Sequence, residues 1–315
     1  MSARHPLAHA FLPMAILTLV WGCNWPVLKL GVAELAPLTF RAITIPFAAC
    51  GMLLVAKLMG DRITIPREWW GRVAVLAFFN ITAWNGFVIF GVQQLPAGRS
   101  AIIAYTMPVW ATLIAMAVLH EPLNRRKVIG LLLGMLGMGV LLGEDIRHIR
   151  STPTGALLIL AAAIMWGVGT VLLRKWKPPV AQNTLSGWMM LGGGAPLVIL
   201  APFLDPHPAS YLAHLSGTTW FAILYNIFLA GTVAHWAWFT LARTLPVAIS
   251  SLTSLPVPVV GVFAGMVVLG ERPGAGEFVA LGLVLSSLFA VLFQPADAKP
   301  AKGAARMPAV PDPDP

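Results

Sequence analysis

The chain has 315 residues, of which 58% are hydrophobic and only 10% are charged, and its mean hydropathy is +0.80. Soluble domains carry about 25% charged residues, so this composition excludes a soluble globular protein and indicates a polytopic membrane protein. The net charge of +9 does not favour a nucleic-acid partner, because the cations lie in short segments between apolar stretches.

Apolar stretches of membrane-spanning length recur along the whole chain. A transmembrane helix needs about 20 apolar residues. The candidate spans are 10–29, 37–57, 72–94, 98–119, 127–143, 154–173, 182–204, 218–241, 246–269 and 276–294. The connections between them are short, and residues 295–315 are rich in Pro, Ala and charge, which is typical of a disordered tail.

The basic residues predict the orientation of these ten spans. With the N-terminus in the cytoplasm, 15 of the 21 Lys and Arg residues fall on the cytoplasmic side, five fall outside, and Arg41 lies within a span. Membrane proteins carry their excess of Lys and Arg in cytoplasmic segments. The sequence therefore predicts that both termini, and with them the tail, are cytoplasmic.

Sequence motifs of enzymes and metal sites are absent. The sequence has no P-loop, His-Glu-x-x-His, Gly-x-Ser-x-Gly or Cys-x-x-Cys pattern. The two cysteines, Cys23 and Cys50, provide neither a disulfide framework nor metal-ligand spacing. We therefore expect no enzymatic activity, no cofactor and no metal.

The two halves of the chain share a pattern. Trp21-Gly22 recurs as Trp166-Gly167, 145 residues later. Four further matches lie 150 residues apart: Leu95-Pro96 with Leu245-Pro246, Ser100 with Ser250, Pro108 with Pro258, and Glu121 with Glu271. Because each half holds an odd number of spans, the second half enters the membrane inverted. Many secondary transporters use such repeats, here 1–146 and 147–294, for alternating access.

Three stretches carry a family resemblance: WGCNWPVLK (21–29), LPAGRSAIIAYTMPVWATLIAMAVLHEPL (95–123) and LPVAISSLTSLPVPVVGVFAGMVVLGERP (245–273). They resemble the EamA-type drug/metabolite transporter superfamily over about residues 10–294. This superfamily includes bacterial inner-membrane exporters of amino acids and related metabolites, among them the aromatic and neutral amino acid exporter group. The resemblance implies a central cavity lined by the first, third, fourth, sixth, eighth and ninth helices.

The repeat and the resemblance together predict an all-α integral membrane protein whose ten transmembrane helices form two inverted five-helix repeats around a central cavity. They imply a monomeric exporter of neutral or aromatic amino acids in the cell inner membrane, with a small-molecule substrate and the lipid bilayer as its partners. Export of drugs, nucleosides or sugars is the alternative. A channel is less favoured, because channels usually need oligomeric symmetry or a charged ring.

Polar and aromatic residues inside the spans are the candidates for substrate contact, since polar side chains in a bilayer are costly unless they face protein or a water-filled cavity. On the first helix, Trp21, Asn24 and Trp25 share one face; we expect Trp21 to pack and the other two to contact substrate. In the second half the positions of Asn24 and Trp25 hold Gly169 and Thr170, so the site is expected to be asymmetric.

The third and eighth helices supply a second group of candidates near the middle of the membrane. Asn80 and Trp84 share a face with Phe87, and both are candidates. Asn85 points elsewhere by helical spacing but is also a candidate for substrate contact. The residue 150 positions after Asn85 is His235. The further candidates in the eighth, fourth and ninth helices are Trp238, Tyr105, Ser250, Thr253 and Ser254.

Proline and charged residues complete the predictions. Proline removes a backbone hydrogen bond and bends a helix, so the candidate hinges are Pro26, Pro108, Pro256 and Pro258, with static curvature as the alternative.

All 12 carboxylates lie in loops, helix ends or the tail, so transport is either uncoupled or proton-linked through His235. Arg41 and Arg99 are expected to snorkel, with attraction of an anionic group as the alternative for Arg41. Glu121 and Glu271 are expected to order loops.

Overall fold

The computed structural model describes residues 6–121, 124–147, 154–205, 214–244 and 254–292, and these ranges consist of helices and short connections without a strand. In chain order the helices are α1 (Pro6–Glu34), α2 (Pro37–Leu58), α3 (Arg67–Gln94), α4 (Ala97–Leu119), α5 (Arg125–Arg147), α6 (Thr154–Trp176), α7 (Gln182–Leu204), α8 (217–244), α9 (Pro256–Leu269) and α10 (Ala275–Leu292). The all-α prediction is thereby confirmed. The tail at 295–315 lies outside the described residues.

Seven of the described helices, α1 to α4 and α6 to α8, are long and apolar enough to cross a membrane. The apolar parts of α9 and α10 are shorter, and α5 begins with three consecutive cations. Large apolar side chains such as Phe47, Phe203 and Val267 are exposed, as on helices whose outer faces meet lipid. The number of ten spans stays a prediction.

Carboxylates from one half of the chain bind the N-termini of helices in the other half. The buried Asp205, at the end of α7, accepts hydrogen bonds from the backbone N–H (2.6 Å) and the hydroxyl (2.7 Å) of Thr39 in the first turn of α2. Glu34, at the end of α1, accepts one at 2.6 Å from the hydroxyl of Thr219 in the first turn of α8. Negative charge is favoured at a helix N-terminus, so these contacts fix the ends of four helices.

The predicted roles of the charged residues around α4 are partly confirmed. Glu271 accepts hydrogen bonds from the backbone N–H groups of Ala97 and Gly98, and so binds the N-terminus of α4. Arg99 does not snorkel: it is buried, donates to the Leu141 carbonyl and pairs with Glu277 at 3.5 Å. The prediction for Arg99 was wrong because the start of α4 is enclosed by α5 and α10.

The glycines of the two Trp-Gly pairs allow close helix contacts. A Cβ added to Gly22 would lie 2.5 Å from the Val260 side chain, and one added to Gly167 would lie 2.9 Å from the backbone nitrogen of Ala111. Small residues let helices in membranes approach closely. They place α1 directly against α9, and α6 directly against α4.

Candidate functional site

A cavity of about 150 Å³ lies among α1, α2, α3, α4, α6, α7 and α8. An apolar cavity of about this volume in another protein holds benzene, so the space suits a small solute. Its polar and aromatic wall residues are Trp21, Asn24, Trp25, Arg41, Thr44, Asn80, Trp84, Asn85, Tyr105, Trp166, Asn226 and His235. Contributions from α2 and α7 were not expected, and among the described residues α9 contributes none.

The α1 face that was predicted from helical spacing lines this cavity. Trp21, Asn24, Trp25 and Leu28 all lie in the wall. Trp21 does more than pack, although its indole N–H also donates to the Ala230 carbonyl at 3.2 Å and so joins α1 to α8. The buried side-chain oxygen of Asn24 has no hydrogen-bond partner.

The middle of α3 departs from ordinary helical geometry. Residues Phe78–Ala83 form a π-helix, in which each turn holds more residues than in an α-helix. This change of register brings Asn85 to the cavity wall beside Asn80 and Trp84, whereas Phe87 packs in the apolar core. The prediction that Asn85 points elsewhere was therefore wrong, because it assumed an unbroken α-helical period.

A π-helix also interrupts α8, at Tyr225–Val233. His235 follows it, and its Nδ1 atom lies 3.0 Å from the Ala230 carbonyl oxygen. Because a carbonyl oxygen only accepts, Nδ1 carries a proton and donates to it. The His235 ring lies edge-on to Trp21, with 5.2 Å between the ring centroids.

The two Trp-Gly tryptophans have equivalent surroundings in the two halves. Trp21 contacts His235 in α8, and Trp166 contacts Trp84 in α3 at a centroid distance of 5.0 Å. Trp238 lies behind Trp21, 6.2 Å from it, and is not in the cavity wall. Aromatic rings from both halves therefore form much of the wall.

The break in α4 places one further candidate in the cavity. The α-helix stops at Ala104 and resumes at Met107, and Tyr105, in the gap, is buried in the wall. Pro108 lies in the first turn after this break, and Pro26 lies within α1. Their roles as hinges stay predictions.

The predicted candidates near α9 are only partly placed. Ser250 and Thr253 lie outside the described residues. Ser254 lies in the turn before α9, and Pro256 and Pro258 lie in the first turn of that helix. None of these three residues is in the cavity wall.

Sequence reasoning missed Asn226 and gave an anion-attracting role of Arg41 only as the less favoured alternative. Both are buried in the wall, at 6% and 5% exposure, and Nη1 of Arg41 donates to the side-chain oxygen of Asn226 at 3.3 Å. The expectation that Arg41 snorkels was wrong, because it is enclosed by protein. The available signal was a cation inside a span, which marks a functional site by default.

The charges around Glu121 form a separate cluster, and none of these residues lines the cavity. Glu121 accepts hydrogen bonds from Lys127 at 3.0 Å and from Arg174. Burial alone would raise the pKa of the Glu121 carboxyl, but the hydrogen bond from Lys127 and the charges of Arg174 and Lys127 lower it below its ordinary value. The carboxylate therefore stays ionised at neutral pH and holds the end of α4.

Sequence comparison decides the family of this fold. A profile of the EamA-like transporter family matches residues 10–143 and 153–293. The chain is a member of the EamA-like transporter family. It is therefore an integral membrane transporter, and the resemblance noted in its sequence is confirmed.

Relatives of this family member cover nearly its whole length. The uncharacterized transporter YoaV of Bacillus subtilis is 23% identical, over 86% of this chain and 90% of its own. A probable amino-acid metabolite efflux pump of Salmonella typhimurium is 26% identical, over 88% and 93%. The uncharacterized inner membrane transporter YedA of Escherichia coli is 25% identical, over 87% and 88%.

One solved structure shows that the fold is shared. A protein of known crystal structure superposes with a TM-score of 0.66 at 19% identity, over 90% of this chain and 97% of the other.

Proposed function

We propose that this EamA-family member exports neutral or aromatic amino acids across the inner membrane by alternating access, using ten spans in two inverted repeats. The observation that carries the proposal is the cavity. Its wall combines indole rings and amides from both halves of the chain with one cation from the first half. An amino acid offers an ammonium group, a carboxylate and a side chain, and these groups match such a wall.

The packing of the helices supports an inverted repeat. Val260 and Trp110 lie 150 residues apart, and they are the neighbours of Gly22 and Gly167 respectively. The contact of α1 with α9 therefore corresponds to the contact of α6 with α4. His120 and Gly270 are also 150 residues apart, and both end a helix in the left-handed conformation, at φ 54° and 66°.

The interrupted helices support the same correspondence. Both α3 and α8 contain a π-helix, and within or beside it an asparagine amide donates to the carbonyl four residues earlier, Asn80 to Leu76 and Asn226 to Ala222. Two helices of matching irregularity that both line one cavity suit a carrier whose halves rock around a central site.

The amino-acid assignment rests on the wall and on one relative. The Salmonella relative is named a probable amino-acid metabolite efflux pump. The indole rings of Trp84 and Trp166 offer π faces to an apolar or aromatic side chain, and the amides of Asn24, Asn80 and Asn85 offer donors and acceptors. Drugs, nucleosides and sugars are the alternative substrates.

Uptake and counterflow in proteoliposomes test the function. The purified chain is reconstituted, and entry of radiolabelled L-phenylalanine, L-tryptophan, L-leucine, uridine and glucose is compared with entry into protein-free liposomes. We expect saturable uptake and counterflow for at least one amino acid. Absence of amino-acid transport with transport of uridine or glucose would reject the assignment, and non-saturating flux would indicate a channel.

The same preparation tests energy coupling through His235. Uptake is measured with and without an imposed pH gradient, in the wild type and in His235→Gln. If transport is proton-linked through His235, the gradient accelerates the wild type and leaves the variant unaffected. Equal wild-type rates with and without the gradient would leave uncoupled transport as the mechanism.

A further inference from the structure

Arg41 is a buried cation without a carboxylate partner among the described residues. It lies near the start of α2, is 6% exposed, and makes no ion pair in the described part of the chain. A charge taken out of water is costly unless it is paired. The interaction with Asn226 satisfies one nitrogen, and Nε is buried with no partner.

The rest of the Arg41 environment is held in place and adds no anion. Its guanidinium carbon lies 5.9 Å from the centre of the Phe40 ring. Asn226, which accepts from Arg41, is itself anchored by its amide N–H to the Ala222 carbonyl at 3.1 Å. Among the described residues, the wall contains no Asp or Glu and no second Lys or Arg. One fixed positive charge therefore faces a small, otherwise uncharged space.

Asn24 supplies the complementary unsatisfied atom in the same wall. Its side-chain oxygen is buried and accepts no hydrogen bond. Buried polar groups in native proteins are nearly always hydrogen-bonded, so each exception calls for a partner. The wall thus contains two residues that each keep one buried polar atom without a hydrogen-bond partner, a donor on Arg41 and an acceptor on Asn24.

We infer that Arg41, positioned by Asn226, binds the carboxylate of the transported solute, and that the Asn24 oxygen accepts from its ammonium group. The inference rests on the proposed function and narrows its substrate class to monocarboxylates, amino-acid zwitterions above all. A single guanidinium balances one negative charge, so a monoanion fits better than a phosphate dianion. The Trp84–Trp166 pair is left for the side chain of the substrate.

The test compares ligands that differ by one charged group. Binding of L-phenylalanine, L-phenylalaninamide, 3-phenylpropionate and phenyl phosphate to the purified full-length protein is measured by isothermal titration calorimetry. We expect the amide to bind at least about tenfold more weakly than the acid, since it loses the charge-assisted hydrogen bonds of the carboxylate to the guanidinium. Phenylpropionate, which lacks the ammonium group, should have an affinity between those of the acid and the amide.

Variants assign this selectivity to Arg41. Arg41→Gln should remove the preference for phenylalanine over its amide. Arg41→Lys should keep part of it, because a lysine retains the charge but loses the planar fork of donors. The exposed Arg67 provides a matched control, and Arg67→Gln should bind as the wild type does. If Arg41→Gln fails to fold, the wild-type affinities for the ligand series still show whether the site prefers a carboxylate.

The outcomes separate this inference from the proposed function. Equal wild-type binding of acid and amide, or a preference that persists in Arg41→Gln, would overturn the carboxylate site even if amino acids are transported. Arg41-dependent binding of phenylpropionate without transport of any amino acid would support the site and reject amino-acid export. Tighter binding of phenyl phosphate than of phenylpropionate, or no binding of any of these ligands, would also overturn the inference.

Discussion

The central cavity and the helix ends differ in how completely their buried polar groups are hydrogen-bonded. At the helix ends, Asp205 and Glu271 each accept two hydrogen bonds from the helix that they cap. In the cavity wall, Asn24 and Arg41 keep buried atoms without partners. Because an unpaired buried group costs free energy, the satisfied ends stabilise the fold and the unsatisfied wall is suited to a ligand.

Unpartnered buried atoms are not confined to the cavity wall, since some also occur near the helix ends. Asn183 and Arg99, near helix ends, also keep one unpartnered atom each. Each of these side chains nevertheless donates to a carboxylate, the amide nitrogen of Asn183 to Asp61 and Nη1 of Arg99 to Glu277. Among the described residues, the difference in the cavity is that no carboxylate approaches. We therefore expect changes at the helix ends to affect stability, and changes in the wall to affect transport.

The largest effect is expected at Asp205. Replacing it with Ala leaves both Thr39 donors without their acceptor at a site that is 3% exposed. We expect the free energy of unfolding, measured by SDS titration in mixed micelles, to fall by about 3 kcal/mol. Asp205→Asn, which keeps one acceptor oxygen, should lose less. If Asp205→Ala were as stable as the wild type, or if it changed KM for substrate, the assignment of the helix ends to stability rather than transport would be contradicted.

Trp84→Ala should produce the converse result. It removes one of the two facing indoles of the cavity wall, so we expect about a tenfold loss of kcat/KM, or roughly 1.4 kcal/mol, with little change in stability. Trp70 gives a matched control, because it also lies 5.0 Å from a second indole, that of Trp188, but outside the cavity. Similar transport losses in Trp70→Ala and Trp84→Ala would contradict the cavity assignment.

A smaller effect on transport is expected at Gly169, which borders the wall from behind. A Cβ there would lie 2.3 Å from the amide of Asn80, so Gly169→Ala must displace that side chain from its place in the wall. We expect KM for substrate to rise a few-fold while the protein still folds. Gly192, whose Cβ would meet no atom within 4 Å, is the control, and Gly192→Ala should transport normally. An unchanged KM in Gly169→Ala would show that Asn80 does not shape the site.

The smallest effect is expected at Glu121, because its partner Arg174 is 55% exposed and exposed ion pairs contribute little. Since the pKa of Glu121 is lowered in the folded protein, the pair stabilises the fold above the ordinary carboxyl pKa, and this contribution is lost as the pH falls. Glu121→Gln should cost less than about 1 kcal/mol at pH 7. The stabilities of the two proteins should converge at acidic pH; a constant difference would exclude the carboxylate as its cause.

Local sequence patterns predicted the scaffold and the α1 side of the cavity. The Trp-Gly pairs predicted that the two halves correspond, and Gly22 and Gly167 both lie at close helix contacts. Helical spacing placed Asn24 and Trp25 on one face, and both lie in the wall. These predictions succeeded because each depends on a single helix or on an exact repeat.

The remaining parts of the site depend on geometry that spacing does not encode. Asn85 was assigned to the wrong face, because the π-helix before it alters the period. Arg41 was assigned to the membrane surface, because its partner Asn226 lies 185 residues away in the sequence. Trp238 was expected to contact substrate beside His235, but it packs behind Trp21.

The most direct test of the cavity as the substrate site is a crystal structure of the protein with L-phenylalanine. We expect a carboxylate oxygen of the ligand within about 3 Å of Nε of Arg41, with the ammonium group at the side-chain oxygen of Asn24 and the ring beside Trp84. Phenylalanine bound elsewhere, or Arg41 paired with a carboxylate of the protein itself, would contradict the assignment.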